Sequence, residues 1–542
     1  MNHLTYSSAV KLGISIWLLL AGLLFSLNSC TTSEGQAERP PNIVLIMADD
    51  MGFSDLGCYG SEIQTPNLDR LAQEGMRMTQ FYNTAKCTET RATLLTGLHF
   101  QQTNNLNKSD NNVTIAEALG ENGYQTIMAG KWHLGNWAEE VDTPNKRGFN
   151  EYFGFLNGAS NFYTGRNYKD DVNYMRLNSE VFEAPEDFYT TDAFTDFAME
   201  QISAATQQEK PFFVYLAHNA PHYPLQAPEE NIAKYRGSYN IGWDSLRLQR
   251  LQRMKELGIV DIDQPLAPRD SLAPAWNDLT TDQQQEEAEL MAVYAGMVDR
   301  LDEQIGRLLN HLDSLKVAEN TLVVFLSDNG GCPFDANHSP IVPPGPEEAD
   351  RTYDTEWAQV SNTPFRKYKQ WIHEGGIATP MIIRWPTKIQ PNTKLEEPGQ
   401  LVDIMPTFLA AAGANYPERY QTRQVLPMEG VSLLPAWQGG QLTRKKPMFW
   451  EFRGSRAVRE GDWKLVGQRG GSWELYNITE DRAELSNQID QQPERAQAMM
   501  AAYEQWAERV GAHSNEASLA MPLNQQDRYL FEGEKEPNTL NK

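Results

Sequence analysis

From residue 41 onward the chain alternates short apolar runs with longer amphipathic stretches. Short apolar runs indicate buried strands, and their alternation with amphipathic segments predicts an α/β fold with a mostly parallel sheet flanked by helices. Four runs are the clearest, at 42–47, 124–129, 211–216 and 321–326, and each is followed within two residues by Asp, Lys or His. Because open α/β sheets bind ligands at the carboxyl ends of their strands, we expect a functional site there.

The pattern differs in the second half of the chain. Residues 243–257 predict an amphipathic helix that packs rather than forms a site. After residue 440, short strands separated by Gly-rich turns are predicted at 446–450, 456–459, 462–466 and 473–476, with a helix at 493–510. We therefore expect a catalytic domain over 41–439, a small α+β domain with an antiparallel sheet over 440–515, and a polar tail without periodicity over 516–542.

The first thirty residues are predicted to lie outside the fold. Lys11 precedes an apolar run at 12–27 that leads into Leu27-Asn28-Ser29-Cys30, the arrangement of a secretory signal. Leu-x-Ser-Cys resembles a bacterial lipobox, which implies that Cys30 is the lipidated first residue of the mature protein and that 31–40 is a linker. We expect an exported, membrane-anchored lipoprotein in the periplasm or on the cell surface. The alternative is an ordinary N-terminal anchor helix.

Charge and cysteine content narrow the function. The 47 Lys and Arg against 72 Asp and Glu give a net charge of −25, which argues against nucleic acid as a partner because binding it requires a basic face. An anionic substrate stays possible if a local cationic pocket opposes the global charge. Without Cys30 the chain has three cysteines, Cys58, Cys87 and Cys332, too few for a disulfide framework. The odd count marks one thiol as reactive, and Cys87 is the candidate.

The segment around Cys87 carries the most information. Residues 92–95 indicate the start of a helix, so Cys87 is expected just before a helix N-terminus, where the helix dipole stabilises a developing anion. Arg91, four residues on, would reach back to the same place. The residues alone fit equally well a buried thiol ahead of a helix with a solvated arginine.

Residues 86–97 also resemble a known signature, Cys-x-Pro-Ser/Thr-Arg followed by Leu-Leu-Thr-Gly. It belongs to the type I (formylglycine-dependent) sulfatases, the arylsulfatase-like family of the alkaline phosphatase superfamily. Further segments similar to that family follow in the expected order, at 49–52, 130–135, 147–149, 220–228, 327–330, 364–369 and 374–376. The resemblance implies an alkaline-phosphatase-like fold and oxidation of Cys87 to formylglycine by a formylglycine-generating maturase.

A metal site follows from the donor types and from the resemblance. Asp49, Asp50, Asp328 and Asn329 offer only oxygen donors, which suit a hard cation, Ca²⁺ before Mg²⁺. Zinc is disfavoured because no histidine belongs to this set. The resemblance adds the modified Cys87 as a further ligand.

The resemblance also supplies catalytic roles. It implies that Arg91 orients an attacking hydroxyl of hydrated formylglycine, that His222 or Lys369 protonates the leaving alcohol, and that His133 removes a proton from the second hydroxyl. Lys131 adds positive charge around the transferring sulfuryl group. His218 is interpreted as lying outside the substrate site, because the family's Ala-Pro-His pattern falls on His222. Trp132 and Trp137 are interpreted as packing residues, with stacking on a sugar as the alternative.

We therefore expect a sulfuric ester hydrolase that releases sulfate from a sulfated carbohydrate, with specificity set by loops at 155–190 and 333–360. One alternative is a phosphodiester or phosphonate monoester hydrolase of the same superfamily. The other is a non-catalytic lipoprotein that binds sulfated glycans with Cys87 unconverted. Glu89 favours this last alternative, because the family usually has Pro, sometimes Ala, at that position.

Overall fold

A computed structural model describes residues 39–106, 111–334 and 342–522. Its strands are β1 Asn42–Ala48, β2 Met76–Tyr82, β3 Gln125–Gly130, β4 Glu151–Phe155, β5 Met175–Leu177, β6 Glu180–Val181, β7 Phe212–Ala217, β8 Thr321–Ser327, β9 Ala378–Arg384, β10 Thr393–Leu395, β11 Gly399–Gln400, β12 Arg419–Tyr420, β13 Arg423–Gln424, β14 Met448–Phe452, β15 Ser455–Glu460, β16 Trp463–Gly467 and β17 Trp473–Asn477. The predicted signal peptide and Cys30 lie outside the described residues and stay predictions.

The α-helices are Pro66–Gln73, Cys87–Thr96, Phe100–Thr103, Ile115–Glu121, Thr190–Gln207, Glu229–Ile232, Gly242–Glu256, Thr281–Ser314, Asp354–Ser361, Glu374–Ile377, Ile404–Ala412, Leu434–Trp437, Pro493–Val510 and Asn515–Ala520. Short 3-10 helices are Gly57–Tyr59, Asn104–Leu106, Trp137–Glu139, Pro144–Arg147, Trp276–Asp278, Ala318–Asn320 and Leu401–Asp403. Within the described ranges, none of these helices has the length and apolar character needed to cross a membrane.

The large sheet has the order β10-β2-β9-β8-β1-β7-β3-β4-β5-β6, with β11 on β2. Its centre is parallel: β1 pairs with β7 and β8, and β3 pairs with β4 and β7. β2, β9 and β8 pair antiparallel. The four strands predicted from apolar runs are β1, β3, β7 and β8, and they form this parallel centre. The expected α/β class with a mostly parallel sheet is confirmed.

Alternation of side chains along β1 explains why its sequence is apolar throughout. Val44 and Ile46 belong to one hydrophobic core cluster, whereas Ile43 and Leu45 belong to a second one. Successive strand residues point to opposite faces, so β1 is buried between two layers. A parallel strand covered on both faces needs a continuous apolar run rather than an alternating one.

Two predicted features of the second half are confirmed, and one is corrected. The helix Gly242–Glu256 forms where the sequence predicts it, and β14 to β17 form an antiparallel four-stranded sheet. Leu465 and Leu475 of this sheet pack in one cluster with Met499 and Trp506 of the following helix. The stretch after Gly511 shows no helical period in sequence, yet a helix forms at Asn515–Ala520, because the Ser514 side chain accepts a hydrogen bond from the Ala517 amide and caps it.

Candidate active site

The carboxyl-terminal ends of four strands bring the predicted site residues to one edge of the sheet. β1 and β8 are in register up to Ala48 and Ser327, so the residues that follow each strand lie side by side. Asp49 and Asp50 follow β1, and Asp328 and Asn329 follow β8. Lys131 follows β3, whose last residue, Gly130, pairs with the last residue of β7, Ala217. Neighbouring parallel strands thus converge on the site, as the sheet rule requires.

The four oxygen-donor residues form a buried cradle. The Asp50 amide donates to Asp328 Oδ1 at 3.1 Å, and Asn329 Nδ2 donates to Asp50 Oδ1 at 2.6 Å. Asp49 Oδ1, Asp50 Oδ2 and Asn329 Oδ1 are buried without a hydrogen-bond donor among the described residues. Leaving buried acceptors unsatisfied is costly, so these atoms fit a bound cation. Asp49, Cys87 and Asp328 also offer ligand atoms within 4.8 Å of one another.

Three cations surround this cradle, each paired with a different carboxylate. Lys131 Nζ lies 2.5 Å from Asp49 Oδ2, and Lys369 Nζ lies 2.6 Å from Asp50 Oδ1. The Arg91 guanidinium lies 2.8 Å from Asp328 Oδ2 and also donates to the Lys131 carbonyl. All of these side chains are buried, so their charges act through a medium of low polarity. Buried cations that could bind an anionic substrate are therefore present, each balanced by one carboxylate of the cradle.

Burial and pairing separate the acidities of two carboxyls. Burial alone would raise the pKa of Asp50, but Lys369, His222 and Lys131 lower it below its usual range. Burial raises the pKa of Asp328 above its usual range and the nearby Asp49 carboxylate raises it further, whereas Arg91 and Lys131 act in the opposite direction. A cation bound among the carboxylates would favour their charged forms.

Cys87 opens the helix Cys87–Thr96 rather than preceding it, which corrects the sequence expectation by one residue. Lys86 takes the N-cap position in extended conformation, and the helix begins five residues before the start at 92 that the apolar pattern indicates. Cys87 Sγ lies 3.4 Å from Nδ1 of His133. Burial, Lys131 and Arg91 hold the pKa of His133 well below its usual value, so this imidazole is neutral and can accept a proton.

His222 takes a different position. Its Nδ1 lies 2.5 Å from the Tyr223 carbonyl oxygen, so Nδ1 carries the proton, and its Nε2 lies 3.4 Å from Asp50 Oδ2. Burial lowers the pKa of His222 to about 3, with Lys369 and Lys131 adding to the effect. Nε2 of the neutral ring then presents a lone pair toward the cradle. Zinc was disfavoured from the sequence on the assumption that no histidine lies near the oxygen donors. That assumption is wrong, because Asp49, Asp50 and His222 offer ligand atoms within 4.8 Å of one another.

A cavity of about 280 Å³ opens above the cradle. The described residues that line it are Lys86, Cys87, His133, Trp137, Asn157, Gly158, Ala159, Asn167, Tyr168, Lys169, His222, Tyr223, Phe334, Lys369 and Gln370. Most of the lining residues that were not predicted individually lie in the two loops expected to set specificity, between Asn157 and Lys169 and at Phe334. Lys86 and Gln370 are neighbours of Cys87 and Lys369 and carry no separate sequence signal.

The three residues interpreted as lying outside the site or as packing residues have different outcomes. Trp132 is buried and donates its indole N–H to the Asp142 carbonyl, and His218 is buried beside Phe194 and does not line the cavity. Trp137 both packs edge-to-face on Tyr174 at 5.0 Å and lines the cavity, so its interpretation as a packing residue was incomplete.

With this geometry in place, comparison with known proteins decides the family. A sulfatase family model matches residues 41–414. The chain belongs to the sulfatase family. A second model, described as N-sulphoglucosamine sulphohydrolase, C-terminal, matches residues 365–509 of this sulfatase. The expected enzyme class, a sulfuric ester hydrolase, is thereby confirmed.

Individual relatives agree. The sulfatase is 37% identical over 432 residues to an arylsulfatase of Klebsiella aerogenes, covering 73% of this chain and 92% of the relative. It is 30% identical over 488 residues to the N-acetylgalactosamine-6-sulfatase of Canis lupus familiaris, covering 84% and 77%. The crystal structure of Ps i-CgsB in complex with k-i-k-neocarrahexaose matches with a TM-score of 0.66 and 27% identity, covering 89% of this chain and 98% of that one. The alkaline-phosphatase-like fold of the sulfatases is thus confirmed for this chain.

Proposed function

We propose that this sulfatase releases sulfate from a sulfated carbohydrate, with formylglycine made from Cys87 by a maturase and with calcium held by Asp49, Asp50, Asp328 and Asn329. One observation supports the proposal most strongly. The Cys87 side chain stands at a helix N-terminus, 3.4 Å from a neutral His133 and within 4.8 Å of carboxylate oxygens from Asp49 and Asp328. The candidate nucleophile at Cys87 therefore lies next to both a base, His133, and a possible cation site.

Hydrated formylglycine at position 87 would supply two hydroxyls on one carbon, and a calcium ion held by Asp49, Asp50, Asp328 and Asn329 would supply Lewis acidity beside them. The protein side chains do the remaining work. Arg91, held by Asp328 and by the Lys131 carbonyl, presents fixed positive charge to the sulfuryl oxygens. His133 accepts a proton at its neutral ring, which is the role needed to expel sulfate.

The leaving alcohol needs a proton donor, and the protonation states of the two side chains favour Lys369 over His222 for this role. Burial opposes the charged form of Lys369, but the Asp50 carboxylate raises its pKa well above the usual value, so it is charged. Neutral His222 already donates its Nδ1 proton to the Tyr223 carbonyl and has no second proton to give. His222 is therefore better suited to accept a hydrogen bond or to approach the cation.

The residues that line the cavity support a carbohydrate as the substrate. Trp137, Tyr168, Tyr223 and Phe334 supply aromatic faces, and Asn157 and Asn167 supply amides, the combination that holds a polar ring with apolar faces. The similar Ps i-CgsB structure is a complex with a neocarrahexaose, and the dog relative is named an N-acetylgalactosamine-6-sulfatase.

Glu89, the residue that favoured a non-catalytic binding protein, does not line this cavity. It comes two residues after Cys87, about 200° further around the helix. Glu89 and Thr93 instead line a separate small cavity together with Glu451 of the C-terminal sheet, and Glu89 Oε2 is buried without a hydrogen-bond partner among the described residues. The folded protein therefore gives no steric reason for Glu89 to prevent substrate binding.

The proposed function is tested by measuring both the modification of Cys87 and the release of sulfate in the same preparation. Protein from its native host should show a loss of about 18 Da on the Cys87 peptide, the change from thiol to aldehyde. The same preparation should release inorganic sulfate from sulfated oligosaccharides faster than it hydrolyses an aryl phosphodiester or phosphonate. An unmodified thiol with glycan binding but no sulfate release would favour the binding protein, and preferred phosphonate cleavage would favour the other hydrolase.

Removing the metal should abolish activity. Without a cation, three buried oxygens lack a partner and the sulfuryl charge loses a stabilising centre, so we expect chelation to lower kcat at least about 100-fold and to lower Tm. Adding Ca²⁺ back should restore both, Mg²⁺ less well. An Asp50→Asn variant should gain little Tm from Ca²⁺. Better recovery with Zn²⁺ would contradict the calcium proposal and would make His222 a ligand.

A further inference from the structure

The wall of the active-site cavity contains a cation that the reaction described above does not use. Lys86 lines the cavity immediately before Cys87. Its ammonium makes no hydrogen bond and no ion pair with any residue in the described ranges. The inner cations differ in this respect, because Lys131, Lys369 and Arg91 are each paired with an aspartate.

The place of Lys86 in the helix does not explain its presence. It occupies the N-cap of the helix Cys87–Thr96, but its side chain makes no capping hydrogen bond. Ser, Thr, Asp and Asn are the residues that stabilise this position, and a positive charge at a helix N-terminus is opposed by the helix dipole. A lysine here therefore costs stability, which points to a function in binding.

The rest of the wall reinforces the positive charge. None of the described residues that line the cavity is Asp or Glu, although the chain contains 72 of them. Lys169 also lines the cavity, lies 5.5 Å from the centre of the Tyr168 ring and has no ion pair within the described part of the chain. At about 280 Å³ the cavity is close to the lower end of small-ligand pockets, about 300 Å³, so it can hold one sugar with its substituents.

We infer that the sugar bound in this cavity carries a second anionic group, a sulfate ester or a carboxylate, which Lys86 binds beside the reacting sulfate. The inference rests on the proposed sulfatase reaction on a carbohydrate. Lysine suits this task because its ammonium is a compact point charge that binds oxyanions without a fixed geometry. Lys169, on an exposed loop, adds attraction to the same group or to the next sugar.

The experiment compares matched substrates in Lys86→Met and wild-type enzyme. The substrates are nitrophenyl glycosides of one sugar: one with a single sulfate, one with two sulfates, and one with a sulfate and a uronate carboxylate. We expect wild type to prefer a doubly anionic substrate, and Lys86→Met to reduce that preference in kcat/KM about 10- to 30-fold, mainly through KM. Lys86→Arg should keep most of it, and whichever doubly anionic substrate shows the loss identifies the second group.

Two controls separate this inference from the reaction on which it depends. Lys445→Met removes an exposed lysine outside the cavity and should leave the preference unchanged. Equilibrium binding of the same glycosides to a Cys87→Ala variant, with and without Lys86→Met, tests the subsite without turnover. If the wild-type enzyme releases no sulfate, the proposed reaction is wrong. The binding measurement still tests whether Lys86 binds a second anionic group. Equal losses on singly and doubly anionic substrates, or no loss on either, would overturn the second anionic group.

Discussion

Replacing Cys87 with serine should leave an enzyme that releases about one equivalent of alcohol per chain and then stops. Serine keeps a hydroxyl at the helix N-terminus beside His133, so it can still attack sulfur. It has only one hydroxyl, however, and His133 then finds no second proton whose removal would expel sulfate. We expect steady-state kcat to fall roughly 10⁴-fold or more, as when other covalent nucleophiles are replaced.

The sulfated intermediate expected in Cys87→Ser can be detected directly. A burst of nitrophenol from an aryl sulfate should accompany a gain of about 80 Da on the peptide around residue 87, the mass of a sulfuryl group. Cys58→Ser is the matched control, because Cys58 is a second buried thiol that does not line the active-site cavity. Full turnover by Cys87→Ser would exclude the modified Cys87 as nucleophile. Absence of both burst and adduct would mean that a hydroxyl at this position does not reach the sulfur.

The predicted strands succeeded where burial on both faces made the sequence apolar throughout. β1, β7 and β8 are buried over nearly their whole length, so their runs of apolar residues stand out. β2 and β9 were not predicted. β2 contains Arg77 and Gln80, and β9 contains Pro380, so neither presents an uninterrupted apolar run. Their antiparallel pairing with each other and with β8 is a tertiary choice that local patterning does not encode.

The candidate site likewise contains some features that the sequence predicts and others that only the folded structure shows. Asp49, Asp50, Asp328 and Asn329 could be predicted because each pair directly follows a strand, and parallel strand ends must meet. The closeness of His222 Nε2 to Asp50 could not, because it depends on the path of the loop after β7. That the Lys86 ammonium has no ion-pair partner among the described residues is visible only once the partners of every nearby carboxylate are known.

The largest stability effect is expected from a lysine far from the chemistry. Lys464, on β16, is fully buried, with Nζ 2.9 Å from Glu374 Oε1 and 2.9 Å from Glu484 Oε1. Arg482 Nε lies 2.9 Å from the other oxygen of Glu374. Lys464→Met would leave two buried carboxylates short of one charge, so we expect the free energy of unfolding to fall by about 3–5 kcal/mol. Urea unfolding measures it, with exposed Lys445→Met as control.

Acid should shrink this difference, which separates lost charge from lost packing. Burial alone would raise the pKa of Glu374, but Lys464 and Arg482 lower it to about 2. A carboxyl with a depressed folded pKa stabilises the protein above its unfolded pKa, about 4.3 for Glu, and loses that contribution as the pH falls toward the folded value. In Lys464→Met the pKa of Glu374 rises, so the variant loses less on acidification than wild type. A difference that stays constant between pH about 6 and about 3 would assign the effect to packing around the lysine stem instead.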